Sequence, residues 1–220
     1  MNTLRIKENF KGLLILPIRP LVVLLAKLRV NPNALTIIGL FVTLCAAWLY
    51  LFYPFWLGGI FLLAGGLFDT LDGQVAREGG KETRFGALLD SVLDRVSELA
   101  IFSALLWRFR EVPWQFAVMF LALAASVMIS YARARGEGII GLMLPNESRE
   151  FIRKIKAGPM SRAARYFWII GASFFPQSWF IWLMIPFNLF AWFTVARRCW
   201  ELYTFLSPRS AMSEDKERRL

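Results

Sequence analysis

Long apolar runs broken by short polar segments dominate the chain, and their lengths predict its elements. A helix that crosses the hydrocarbon core of a bilayer needs about 20 mainly apolar residues. Six stretches qualify as candidate spans: residues 34–52, 56–77, 86–107, 113–131, 163–175 and 179–196. The first follows an Asn31-Pro32-Asn33 turn. The second is apolar as far as Phe68 and then turns polar, and the third carries carboxylates in its first half. The fifth is short and ends at Pro176-Gln177-Ser178. Ahead of these, residues 5–29 alternate Arg5, Lys7, Lys11, Arg19, Lys27 and Arg29 with aliphatic side chains, and they include Pro17 and Pro20. Two prolines this close break a spanning helix, and interspersed cations suit a segment lying in the membrane interface. The pattern predicts an all-α integral membrane protein with six transmembrane helices preceded by an interfacial amphipathic helix. Its parts are an interfacial segment at residues 1–30, a six-helix membrane domain at 31–205 and a polar tail at 206–220.

Composition supports the membrane reading and narrows the chemistry. Hydrophobic residues make up 57% of the chain and the mean hydropathy is +0.48, too apolar for an ordinary soluble domain. There is no histidine, which removes imidazole-based triads, His-ligated zinc and histidine acid/base relays. Cys45 and Cys199 lie far apart with no metal-binding spacing and read as packing residues. The net charge of +10 is concentrated in the N-terminal segment, the 78–85 loop, the 132–161 connection and the tail. Basic residues near span ends accumulate on the cytoplasmic side, so both termini and these loops are expected there. The charge is thus an orientation signal rather than a nucleic-acid footprint.

Four of the 16 acidic residues stand where a membrane helix tolerates them poorly: Asp69, Asp72, Asp90 and Asp94. A single charged side chain at mid-bilayer costs about 2.5–3.5 kcal/mol even on insertion scales. Asp69, Asp72, Gly73 and Ala76 follow i, i+3, i+4 and i+7 and share one helix face, as do Gly86, Asp90 and Asp94 at steps of four. A short loop joins the two spans, which predicts antiparallel neighbours whose acidic faces meet near one membrane surface. Like charges so gathered need a cation. With only oxygen ligands to hand, Mg2+ or Mn2+ suits the set better than zinc, and four carboxylates suffice for two ions. Pairing with Arg77, Arg84 and Arg95 is the plainer alternative, but it leaves Gly73, Ala76 and Gly86 on the same faces without a purpose.

The series Asp69-x2-Asp72-Gly73-x2-Ala76-Arg77-x8-Gly86-x3-Asp90-x3-Asp94 resembles the complete signature of the CDP-alcohol phosphatidyltransferase family. The family fold, six spans after an interfacial helix, agrees with the pattern above. The resemblance implies transfer of a phosphatidyl group from CDP-diacylglycerol to an alcohol, with release of CMP. It implies Asp69, Asp72, Asp90 and Asp94 as the metal site, with Asp94 also the general base on the acceptor hydroxyl. It further implies Gly73, Ala76 and Arg77 at the nucleotide. A second match, Pro32-Asn33-x-Leu35-Thr36-x2-Gly39, resembles the family's entry to the first span and adds Thr36 to that site, against a plain capping or packing role. A homodimer is also implied.

The acceptor is expected to be a small alcohol, and the basic 132–165 region suits a phosphorylated one. The alternative for most of these cations is attraction to anionic headgroups. The segments Arg133-Ala134-Arg135-Gly136-Glu137-Gly138 and Lys156–Arg165 are similar to the phosphatidylinositol phosphate synthase branch of the family. That likeness implies inositol phosphate as acceptor, with Arg133, Arg162, Arg165 and Arg198 as phosphate-binding candidates. Glycerol 3-phosphate is the rival acceptor. A divalent-cation channel or transporter is the rival outside enzymology, and it gives Gly73, Ala76 and Arg77 no role.

Overall fold

A computed structural model describes residues 19–143 and 159–207. The N-terminal part of the expected interfacial segment, the cations between residues 149 and 156, and the polar tail from 208 lie outside the described residues. The described chain contains seven helices: α1 (Arg19–Lys27), α2 (Pro32–Phe52), α3 (Phe55–Glu78), α4 (Arg84–Arg108), α5 (Pro113–Met143), α6 (Arg162–Ser173) and α7 (Gln177–Leu206).

Local chemistry sets most of these boundaries. The Asn31 side chain accepts from the Asn33 backbone N–H at 3.0 Å, with Pro32 in the first turn of α2. Both features satisfy the orphan-donor problem of a helix start. Thr83 caps α4 by accepting from Gly86 N–H at 2.9 Å, and Ser161 caps α6 by accepting from Ala164 N–H. After α3, Gly80 adopts φ +59°, a left-handed turn that side chains resist. The loop that follows is clipped to the α1–α2 turn, because Lys81 Nζ donates to the Arg29 carbonyl at 2.8 Å.

α2, α3 and α4 begin and end close to expectation, but α5 and α7 run well past their apolar stretches, to Met143 and Leu206. Among the described residues, four helices are long and apolar enough to cross a membrane: α2, α3, α5 and α7. α4 is long enough, but Arg84, Asp90, Asp94, Arg95 and Glu98 make it too polar to count on composition. With 12 residues, α6 reaches only about 18 Å, short of a hydrocarbon core of about 30 Å.

The helices close into a ring, with α2 packed on α3 and α4, α3 on α6, α6 on α7, α7 on α5, and α5 on α4. α3 and α4 are therefore not principal packing partners, as their short connection suggested; α2 lies against both of them. Gly39 and Gly65 let α2 and α3 approach, since a Cβ on Gly39 would stand 3.0 Å from Phe68 Cβ. Tyr50, Phe102, Phe180, Phe187 and Met119 fill the centre, and Tyr50 Oη meets Ser173 Oγ at 2.7 Å. Large apolar side chains such as Phe41, Trp48, Leu189 and Phe193 face outward. An apolar exterior around a core that also holds Glu98 and Arg165 is the arrangement expected in lipid. At one end of the ring α1 seals against α2 and α3 through Val22, Leu35, Leu71 and Val75.

Candidate active site

A cleft opens at the end of the ring where α2 begins, α3 ends and α4 begins. Its walls include Asn33 and Thr36 from α2, Asp72, Gly73, Ala76 and Arg77 from α3, and Gly86 and Asp90 from α4. Every nucleotide candidate named from the sequence therefore lies in one cleft. Its floor is tight. The Arg77 guanidinium lies over Gly73, where a Cβ would come within 3.4 Å of it. A Cβ on Gly86 would stand 2.9 Å from Thr83 Oγ1 and 3.1 Å from Asn33 Oδ1. Thr36 Oγ1 donates to the Pro32 carbonyl at 3.1 Å, a bond within its own helix, while the residue still faces the cleft.

A deeper cavity next to the cleft is lined by Thr36, Asp69, Asp72, Asp94 and Arg162. Asp69, Asp90 and Asp94 each bring a carboxylate oxygen within 4.8 Å of the others. Asp72 stands outside this trio but lines both spaces, and its buried Oδ2 has no hydrogen-bond partner. Three convergent carboxylates and one unsatisfied buried oxygen, with no nitrogen or sulfur ligand, fit a hard divalent ion such as Mg2+ or Mn2+. The counter-cation to this cluster differs from the pairing considered above. Arg162 Nη1 donates to Asp69 Oδ1 at 2.8 Å and also pairs with Asp94. Arg95 turns instead to Glu98. The Arg162 guanidinium also lies over the Tyr166 ring, 5.1 Å from its centroid.

The four basic acceptor candidates separate. Arg162 stands at the aspartates. Arg133 is on α5, partly exposed and paired with Glu137 at 2.8 Å. Arg198 is buried on α7, where Nη1 donates to the Ile129 carbonyl and Nε has no partner. Arg165 is 1% exposed, and all three of its nitrogens are bonded within the protein. Its Nε donates to Glu98 Oε1 at 2.6 Å, Nη1 to the Met160 carbonyl at 2.8 Å and Nη2 to Ser130 Oγ at 3.3 Å.

Glu98, Ser126, Ser130 and, at the cleft, Lys81, Glu82 and Thr83 were not singled out from sequence. For Glu98 a signal existed, since Gly86, Asp90 and Asp94 recur at steps of four and Glu98 is the next step.

Residues 29–195 match the family model for CDP-alcohol phosphatidyltransferases, and the chain belongs to that family. It is 42% identical over 113 residues to an archaetidylinositol phosphate synthase of Pyrococcus horikoshii, a match covering 51% of this chain and 58% of that protein. The chain thus spans little more than half the length of that relative. Its fold resembles the crystal structure of Mycobacterium tuberculosis phosphatidylinositol phosphate synthase with CDP-DAG bound, at TM-score 0.70 and 26% identity over 84% of this chain and 92% of that one. The same M. tuberculosis enzyme in complex with manganese and citrate gives TM-score 0.67 over 84% of this chain and 88% of that one, again at 26% identity.

Proposed function

We propose that the protein transfers a phosphatidyl group from CDP-diacylglycerol to a phosphorylated small alcohol, inositol phosphate above all, and releases CMP. The observation that carries this reading is the cleft itself, in which Thr36, Gly73, Ala76 and Arg77 adjoin Asp72 and Asp90, with Asp69 and Asp94 immediately deeper. The nucleotide lies along Thr36, Gly73 and Ala76, and Arg77 neutralises pyrophosphate charge. Asp69, Asp72, Asp90 and Asp94 would hold two Mg2+ or Mn2+ ions, which when bound would stabilise the charge on the pyrophosphate and the departing CMP. The acceptor hydroxyl gives its proton to Asp94 and attacks the lipid-side phosphorus. An oxygen–phosphorus bond forms, the bond to the bridging oxygen breaks, and CMP leaves with the electron pair. No covalent enzyme intermediate is required.

Arg162 is the first acceptor-phosphate ligand, with Arg133, Arg165 and Arg198 as further candidates. The six-span arrangement of residues 31–205 includes α4 and the short α6 because the ring of helices leaves neither outside the bundle. Both termini and the cleft face the cytoplasm, in keeping with the basic loops. A homodimer rests on family resemblance alone.

The test is an acceptor panel: purified protein, CDP-diacylglycerol, Mg2+ or Mn2+, and inositol phosphate, glycerol 3-phosphate, free inositol or serine in separate reactions. CMP release with inositol phosphate is expected. Release with glycerol 3-phosphate alone would move the protein to the phosphatidylglycerophosphate synthase branch, and release with free inositol or serine alone would sink the phosphate-binding argument.

A further inference from the structure

Five charged side chains line the cleft: Asp72, Arg77, Lys81, Glu82 and Asp90. Asp72, Asp90 and Arg77 belong to its metal and phosphate end, which leaves Lys81 and Glu82 at the rim without a part in the transfer. The segment that carries them is firmly held. α1 and α3 end in the same doubly bonded turn. Arg29 N–H donates to the Ala26 carbonyl and Val30 N–H to Leu25, just as Gly80 N–H donates to Arg77 and Lys81 N–H to Ala76. Each turn has one left-handed residue, Gly80 at φ +59° and Arg29 at φ +55°, and Arg29 is the only such residue other than glycine among the described residues. Lys81 Nζ ties the two turns together through the Arg29 carbonyl, and Thr83 caps α4.

Glu82 therefore lies between two anchored neighbours. It forms no ion pair among the described residues, and the adjacent lysine turns to a carbonyl instead of to it. A carboxylate presented on a fixed rim costs a ligand little ordering when it binds. Distance decides which part of a nucleotide meets it. Asp90 lies six residues inside the first residue of α4, about 9 Å of helix rise, and Glu82 precedes that residue. With the phosphates at Asp72, Asp90 and Arg77, the rim is left to the nucleoside, and Pro32, Gly86 and Ala87 give the wall there small apolar surfaces suited to a flat ring.

An ionised carboxylate only accepts hydrogen bonds. Cytosine presents a donor, its exocyclic amine, where uracil presents the acceptor O4. We propose that Glu82 is a specificity-determining residue whose carboxylate accepts from the exocyclic amine of cytosine, and that Lys81, through the Arg29 carbonyl, is the positioning residue that fixes the rim presenting it. This deepens the reading of the cleft as a CDP site and rests on it.

The experiment is calorimetric titration of the full-length protein in detergent and Mg2+ with CMP and, separately, with UMP. The two ligands share ribose and phosphate, so a merely structural change weakens both alike and leaves their ratio of dissociation constants where it was. The starting protein is expected to favour CMP by about 10-fold or more, within the range of one well-formed base contact. Glu82→Gln, whose amide can donate to O4, is expected to bring the ratio within about threefold of unity, and Glu82→Ala to lower it in the same direction. Lys81→Met should lower it in part. Glu78→Gln, an acid at the end of α3 that does not line the cleft, should leave it unchanged. Equal weakening of CMP and UMP in both Glu82 variants overturns the proposal, as does a ratio within about twofold of the starting protein's. An unchanged ratio in Lys81→Met overturns the positioning role. A starting protein that binds neither nucleotide overturns the CDP reading of the cleft and the inference with it. One that binds both equally overturns the inference alone.

Discussion

Gly86→Ala offers a separation of function from stability that follows from a few ångströms of geometry. The added methyl would stand 2.9 Å from Thr83 Oγ1 and 3.1 Å from Asn33 Oδ1, so both side chains must yield. Thr83 Oγ1 is also the cap acceptor for Gly86 N–H. Loss of a threonine cap costs about 0.5–2 kcal/mol, whereas replacing a helical glycine by alanine returns up to about 1 kcal/mol. The two nearly cancel, leaving net stability within about 1 kcal/mol of the starting protein. The cleft has no such compensation. Asn33 and Thr83 are both part of its wall, and each polar contact they lend a nucleotide is worth about 0.5–1.5 kcal/mol. Displacing both loses about 1–3 kcal/mol, or about five- to 150-fold in the CDP-diacylglycerol KM, with the melting temperature nearly unchanged. Gly66→Ala on α3 is the matched control, because a Cβ there meets nothing within 4 Å, and neither quantity should suffer. A Gly86→Ala protein that melts several degrees lower but keeps its KM would refute the reasoning, showing that the glycine serves packing rather than the cleft.

Further outcomes follow from the same structure. Asp94→Asn should lower kcat by about 10^2- to 10^4-fold in the CMP-release assay, the range for losing a general base, with the fold retained because Arg162 keeps its bond to Asp69. Turnover within about threefold would remove Asp94 as the base. Chelation should abolish CMP release, and Mg2+ or Mn2+ should restore it where Ca2+ does so poorly, since the smaller ions suit a compact carboxylate set. Arg165→Met should destabilise the protein by up to about 3–5 kcal/mol by leaving buried Glu98 with Arg95 as its remaining cation, and Glu98→Leu on top should recover part of the loss in a detergent melting experiment. Tyr50→Phe, which removes the bond to Ser173, should cost only about 0.5–1.5 kcal/mol and leave the acceptor KM alone.

What was legible in the sequence was local. The aspartate and glycine spacings encode one helix face each, and a helix face needs no knowledge of the rest of the fold, so the cleft residues were identifiable from periodicity together with the signature. The start of α2 was equally plain from Asn31 and Pro32. Long-range partners were not. A short loop between α3 and α4 argues for direct packing, but nothing local says that α2 has the small residues Gly39 and Thr43 to lie against α3 more closely. The extensions of α5 and α7 were hidden because Arg133 and Arg135 interrupt one apolar run and Arg197 and Arg198 the other, so the membrane pattern ends before the helix does. Arg162 and Arg165 looked equivalent because both are cations at the start of one helix. Only the distant Glu98 distinguishes them, and a lone glutamate inside an apolar run gives no hint of its partner.

The pairing of Arg162 also bears on the order of events. On the proposed reading Arg162 binds the acceptor phosphate and Asp94 takes the acceptor proton, yet in the structure these two groups are bonded to each other. While they are paired, Arg162 Nη1 fills the Asp94 Oδ1 that would receive the proton, and Asp94 fills the guanidinium edge that would meet a phosphate. The two roles can be exercised together only when the guanidinium is drawn toward something else. A phosphate is a stronger bidentate partner for arginine than a shared carboxylate edge. An acceptor that carries phosphate thus relieves Asp94 in the act of binding, whereas a plain alcohol leaves the base paired. The phosphate then acts as more than a handle for affinity, and discrimination against unphosphorylated alcohols should appear in kcat as well as in KM.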